Sequence, residues 1–250
     1  MQTTQKINVL NVKRNLDKMY SGATRVVFDI LNTLEGDKFN NNLFSLNIDK
    51  KYANKNHLNF KICRKKLFGN SFSKRVHFDN KASDFINKGN FDLVIGHGDN
   101  LYQDILYLHN CVHLAHELIH NEPLPEDNQL NLFHTKLLNS RNFKRIIANS
   151  NLMKSDLIAR FNISEDIIDV IYPSFNPNTF YVQNATSIKN NKNILGIKEN
   201  EIVIGFVTSG DFQKRGLDNF IKIIEDLPDS IIKNVKILIV GKGDLPEIKK

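Results

Sequence analysis

The chain has 250 residues, 41% of them apolar and 24% charged, with a formal net charge of +7 and two cysteines. This is enough apolar residue to bury the core of one large domain or two modest ones. No apolar run approaches the roughly 18 residues of a membrane-spanning helix, no secretory signal pattern opens the sequence, and Cys63 and Cys111 have neither metal-ligand nor CxxC spacing, so a reducing cytoplasm is the expected setting.

Strand and helix patterns alternate along the chain, which predicts an α/β fold with parallel sheets. Ile7–Val12 reads as the first strand, Tyr20-Ser21-Gly22 as a turn, and Ala23–Leu34 as a helix with apolar residues at helical spacing. Leu43–Ile48 is the second strand, Phe78–Lys88 a helix, Phe91–Gly96 a buried strand, and Asp104–His109 a further strand or a helix. Asn128–Asn142 is helical and Arg145–Ala148 is a short strand. Asn149 and Ser150 cap a helix that runs through Phe161, and Ile167–Ile171 is a strand closed by Tyr172-Pro173. The Asn-rich stretch from Ser174 to Asn200 lacks periodicity and marks a boundary. The expected organisation is a first domain over 1–178, a linker over 179–200 and a partial second domain over 201–250.

The second region opens with a strand, Ile202–Val207, followed by a polar turn with Lys214-Arg215-Gly216, a helix, a strand over Val235–Val240 and Gly241-Lys242-Gly243-Asp244. Cations beside a helix start suit a phosphate. Arg supplies planar paired donors, Lys a point charge, and the helix end adds N–H groups and a favourable dipole. Ser21-Gly22 opens the first helix, where a small residue lets a ligand approach the backbone. There is no GxGxxG or GxxxxGK[ST] pattern. His97 and His109 fall at the carboxyl ends of strands, the edge where open parallel sheets bind ligands.

Two further features admit several readings. From Lys50 to Phe78 there is no acid, while nine Lys and Arg residues alternate with Leu58, Phe60, Leu67, Phe68 and other apolar residues. The segment reads as a solvated basic surface or as a face for an anionic membrane. No nucleic-acid motif accompanies it, so nucleic acid is not an expected partner. His116-Glu117-Leu118-Ile119-His120 spells the HExxH pattern of zinc hydrolases. Asn121-Glu122-Pro123 breaks the helix at once, so a zinc hydrolase stays only as an alternative and no metal is expected. The absence of an Asp-x-Asp pair points the same way.

Taken in order, SGATRVVFDI, FDLVIGHGDN, LYLHN, the segment from Arg145 to Phe180, and the Ile202–Asp244 unit resemble the GT-B-fold retaining glycosyltransferases of family four. The resemblance implies an α/β, GT-B type fold, with an N-terminal Rossmann-like parallel sheet and helices on the acceptor side. A second, here incomplete, Rossmann-like domain would hold the sugar nucleotide. It implies transfer of a sugar from a UDP- or GDP-linked donor, as substrate and with no cofactor, to a saccharide or lipid-linked acceptor of the cell-surface polysaccharide or lipopolysaccharide type. It assigns Gly22, Lys214 and Arg215 to the donor diphosphate, His109 to catalysis beside the transferred sugar, and His97 to the acceptor side or cleft. It further implies a cytoplasmic protein at the inner face of the cell membrane, touching anionic lipid through Lys50 to Phe78. The family's paired-glutamate motif is expected beyond Gly241 and does not occur in this sequence. A non-catalytic fragment that keeps acceptor or membrane binding is therefore the other alternative.

Overall fold

The computed structural model describes residues 6–18, 21–34, 36, 38–209, 212–241 and 245, the side chains of 213 and 214 excepted. The chain divides into two compact units, Met1–Pro173 and Ser174–Lys250.

The first unit runs β1 (Ile7–Val12), β2 (Asn15–Leu16), α1 (Gly22–Thr33), β3 (Phe39–Ser45), β4 (Asn47–Ile48), α2 (Lys50–Lys55), β5 (Asn59–Ile62) and α3 (Ser71–Lys88). It continues with β6 (Leu93–Gly96), β7 (Ile105–Tyr107), α4 (Val112–His120), α5 (Gln129–Ser140), β8 (Arg145–Ala148), α6 (Asn151–Phe161) and β9 (Ile168–Val170). Seven of these strands form one sheet in the order β5-β3-β1-β6-β7-β8-β9, and every pairing in it is parallel. The chain winds outward from β1 through β3 to β5, then returns to the other side of β1 at β6. The order therefore reverses between β1 and β6, and the crevice at their carboxyl ends is where a doubly wound sheet binds ligands.

Alternation along β1 builds both faces of the sheet. Leu10 and Val12 pack with Phe44, Phe78, Ala82 and Val94 on the α3 side. Val9 packs with Ile95, Tyr107 and the α1 residues Val26 and Ile30 on the other. Each fully buried side chain of this kind is worth roughly 1.5–3 kcal/mol. A separate cluster, including Leu106, Leu137, Ile146, Met153 and Leu157, binds α5 and α6 to the β7–β9 end.

Several expected boundaries move for local reasons. The third helix begins at Ser71 rather than Phe78, because Asn70 caps it by accepting from the Ser73 N–H at 2.8 Å. The second strand begins at Phe39. Its asparagines are accommodated by side-chain bonds, such as Asn41 Nδ2 to the Leu31 carbonyl at 3.1 Å. The basic segment contains α2 and β5 as well as the start of α3.

The second unit contains α7 (Ala185–Ile194), β10 (Ile202–Val207), α8 (Phe212–Arg215), α9 (Leu217–Glu225), α10 (Asp229–Ile232) and β11 (Val235–Val240). The 179–200 stretch, expected as a linker, thus carries a helix, started by Asn184 accepting from the Ser187 N–H at 2.8 Å. β10 and β11 pair in parallel, from Ile202 opposite Val235 to Val207 opposite Val240. Leu217, Ile221 and Ile224 form the buried face of α9. Among the described residues no helix is long and apolar enough to cross a membrane.

Candidate functional site

The reversal between β1 and β6 is occupied by a polar cluster. His97 follows β6 directly and is buried. Its Nδ1 lies 3.0 Å from Nε2 of His109, two residues past β7, and its Nε2 lies 3.1 Å from Oδ1 of Asn11 on β1. An amide oxygen only accepts, so His97 carries its proton on Nε2 and its Nδ1 accepts from His109 Nε2–H. Both rings are neutral in this chain of bonds. They lie nearly parallel, 13° apart with centroids at 5.2 Å, and Tyr107 stacks on His109 at 5.0 Å.

A buried ion network supports this pair. Lys13, just past β1, donates to Asp99 Oδ2 at 2.8 Å and to the His97 carbonyl at 3.2 Å. The Arg14 N–H reaches Asp99 Oδ2 at 3.1 Å, and Arg75 of α3 reaches Oδ1 at 3.3 Å. Burial alone would raise the Asp99 carboxyl, but Lys13, the Arg14 N–H and Arg75 together hold it well below the usual carboxylate range. Arg75 also sits 5.8 Å above the Phe133 ring. Gly96 is required by close approach, since a Cβ there would collide with Gln103 Oε1 and lie 2.7 Å from Asn100 Oδ1.

The surroundings keep the histidines uncharged. Burial, then His109 and Lys13, push His97 well below the ordinary value of 6.5, against the pull of Asp99. Burial, with Lys13 adding, pushes His109 down to about 3. His134 falls to about 4, chiefly through burial and then Arg75. The folded values lie below the unfolded one, so between them the unfolded chain binds more protons. Stability is full above pH 6.5 and falls as the pH drops toward the folded values. Each histidine held neutral at pH 5 is expected to cost about 2 kcal/mol there. Denaturant midpoints at pH 7.5 and 5.0 check this. A midpoint that does not fall at pH 5.0 contradicts the neutral pair.

The other sequence-derived positions stand as follows. Gly22 is the first residue of α1, exposed, with open space where a Cβ would stand and no left-handed φ. The protein's own packing gives no reason for glycine there. In the second unit Arg215 is exposed at the end of α8. Gly216, at φ +81°, turns the backbone into α9, a conformation that favours glycine. The Lys214 side chain, Tyr20 and Lys242-Gly243-Asp244 lie outside the described residues.

The HExxH segment forms α4, which ends at Asn121 in the left-handed region. The Glu117 carboxylate receives two bonds from Arg160 of α6, at 2.8 and 2.7 Å, and Arg160 also binds Asp156. Glu117 is thus engaged in tying α4 to α6. Among the described residues no three His, Cys, Asp or Glu side chains converge as a metal site.

Both histidines lie just past strand ends, where the sequence put them, and the structure adds that they touch, which the sequence did not indicate. Sequence reasoning missed Asn11, Lys13, Arg75 and Asp99. Lys13 and Asp99 could have been found, since each directly follows a strand or strand-end loop. Arg75 is one of nine cations in its segment, and nothing in the sequence separates it from the rest.

A family model described as Glycosyltransferase Family 4 matches residues 20–179. No curated protein sequence matches the chain. Among solved structures, WaaG, described as a glycosyltransferase involved in lipopolysaccharide biosynthesis, aligns with a TM-score of 0.73 at 15% identity, covering 94% of this chain and 64% of its own. HepE of Anabaena, solved in complex with UDP and glucose, aligns at 0.65 and 17% identity, covering 93% and 60%. A glycosyltransferase from Rickettsia africae aligns at 0.61 and 16% identity, covering 95% and 69%. These likenesses show an α/β fold of the GT-B type. The chain spans 64% and 60% of the length of the first two proteins.

Proposed function

The chain belongs to glycosyltransferase family 4, and from that premise we propose that it serves in transferring a sugar from a nucleoside-diphosphate sugar to a saccharide or lipid-linked acceptor, with retention of configuration. The observation that carries this reading is the buried, neutral His97–His109 pair at the reversal point of a family-matched sheet.

The chemistry asks the protein for few things. As the bond from sugar to diphosphate breaks, negative charge grows on the leaving phosphate oxygens. In the second unit Arg215, with Lys214 beside it in sequence, and the N–H groups at the start of α9 supply donors for that charge. In the first unit Gly22 leaves the start of α1 open to a diphosphate. A leaving diphosphate oxygen takes the acceptor proton on the face from which it departs, which retains configuration. His109, neutral at pH 7, offers hydrogen bonding beside the transferred sugar without competing for that proton. HepE has been solved with UDP-glucose, which favours a UDP-linked donor here. WaaG's role in lipopolysaccharide biosynthesis favours a cell-surface saccharide acceptor. No step in this scheme calls for a cofactor or metal.

Calorimetric titration of the chain with UDP and GDP, together with an assay for consumption of the corresponding sugar nucleotides, tests the proposal. Binding of one nucleotide and transfer of its sugar are expected. Absence of both sinks it.

A membrane partner is favoured by one specific feature. Leu67 and Phe68 stand 78% and 83% exposed in the loop after β5, next to Lys65 and Lys66. Apolar tips flanked by cations suit the interface of an anionic bilayer, and the chain would then act from the cytoplasmic face as a peripheral protein. Replacing Leu67 and Phe68 by serine is expected to weaken partitioning onto anionic vesicles by about a hundredfold or more, the loss of two buried apolar side chains at roughly 1.5–3 kcal/mol each. Binding by the wild type should fade with salt. Equal sedimentation of variant and wild type would remove the loop from the contact.

A further inference from the structure

Beside the reversal point, at the carboxyl ends of β1, β3 and β5, lies a cavity of about 450 Å³. Its wall is drawn from four separate stretches of chain. Arg14 follows β1, Lys65 and Lys66 follow β5, and Ser71, Lys74 and His77 belong to the first turns of α3. The β2–β4 pair forms its floor through Asn15 and Asn47.

The charge of this cavity is not balanced. No acid is among the lining residues. Among the described residues the side chains of Arg14, Lys65, Lys66 and Lys74 have no carboxylate or carbonyl partner, although the chain carries 27 acids. Arg14 is the informative one. It is half-buried, and its charge presses on that of Arg75, which lowers the Arg75 guanidinium alongside the larger effect of burial. The carboxylate that the Arg14 N–H reaches, Asp99, is already engaged by Lys13 and Arg75. A guanidinium that no carboxylate among the described residues engages is available to an anionic ligand. The cavity volume lies within the roughly 300–1,000 Å³ of ligand pockets. Four converging cations without acids match the charge of a phosphate monoester or pyrophosphate better than that of a neutral sugar or a single carboxylate.

We propose that this pocket binds a phosphoryl group carried by the acceptor, so that the acceptor is a phosphorylated saccharide or a phosphate-bearing lipid-linked saccharide. The acceptor's part in this rests on the glycosyltransferase reading. The pocket itself does not. The pocket shares a sheet edge with His97, and Arg14 is the residue after Lys13 in the ion network below the histidine pair. A phosphate held there orients the rest of the acceptor relative to the reversal point and neutralises Arg14.

The test uses the full chain and inorganic pyrophosphate as the probe, with UDP titrated in parallel. Lys65, Lys66 and Lys74 are changed together to glutamine in one variant, and Lys50, Lys51 and Lys55 in another that removes the same charge from outside the pocket. The pocket variant is expected to lose about tenfold or more in pyrophosphate affinity, as lost charged hydrogen bonds would give, and the surface variant less than about twofold. UDP affinity should be held in both. Should the triple variant fold poorly, Lys66→Glu at an exposed position is expected to lower affinity in the same direction. Equal weakening by the two triple variants, or none in the pocket variants, overturns the proposal. A chain that shows this pyrophosphate pattern but binds no nucleotide keeps the pocket and loses the donor reading. Vesicles of phosphatidylcholine with phosphatidic acid separate two sources of the same chemistry. Displacement of pyrophosphate by these vesicles but not by phosphatidylserine vesicles of equal charge, which carry a phosphodiester, identifies a lipid-borne phosphate monoester; displacement by neither identifies a soluble one, and equal displacement by both assigns the cations to general bilayer contact and overturns the proposal.

Discussion

Replacement of Asp99 by alanine is expected to destabilise the chain by about 3–5 kcal/mol, the cost of leaving buried charge without its partner. The side chain is 8% exposed, and those of Lys13 and Arg75 are each 17% exposed. Removing the carboxylate strands both cations at the carboxyl edge of the sheet and frees the Arg14 N–H. It also removes the anchor that holds Lys13 near the His97 carbonyl. Urea unfolding of wild type and variant measures the loss. The double variant Asp99→Ala with Lys13→Met should recover part of it, because the stranded charge is then gone. A loss below about 1 kcal/mol would place the network in the class of surface ion pairs. In that case Asp99 is not what holds the floor of the site.

The second large effect is expected at Arg215. If it holds the departing diphosphate, Arg215→Ala should weaken UDP binding by about tenfold to a hundredfold, as the loss of one or two charged hydrogen bonds gives. Turnover should fall by about a hundredfold or more, because the charge it meets grows in the transition state. Arg215→Lys should recover less than half of the binding loss in free energy, since a point charge replaces a planar fork. Arg215 is exposed, so these changes should leave the melting temperature unmoved. Unchanged UDP affinity in the alanine variant would remove Arg215 from its assigned role.

The sheet was legible because its strands are short apolar runs, such as Leu93-Val94-Ile95, set between helical patterns of regular period. The elements that escaped are held by context. Asn59–Ile62 is a strand because it pairs with Asn42–Ser45, yet its lysine sits within a run of cations that reads as surface. The helix over Ala185–Ile194 is polar and has no buried residue. It therefore lacks the apolar stripe by which helices are recognised. At the site, the two histidines were visible as strand-end residues. Their contact was not, because it depends on the register that sets Gly96 opposite Leu106 and brings the following loops side by side. Asn11 was hidden for a related reason. It occupies an interior place in an apolar strand, and its importance comes from what the neighbouring strand delivers to it.

The direction of the hydrogen bonds through the histidine pair has a consequence for proton traffic. The chain runs from His109 to His97 and ends at an amide oxygen, Asn11 Oδ1, which accepts a hydrogen bond but is far too weak a base to accept the proton itself. A proton delivered to His109 has no onward conductor. The pair is a fixed brace with a dead end, and the nitrogen of His109 that stays outside the chain carries a lone pair and no hydrogen. Whatever group of a ligand settles against that nitrogen must bring its own hydrogen, so a hydroxyl is admitted there and a fluorine or an ether oxygen is refused.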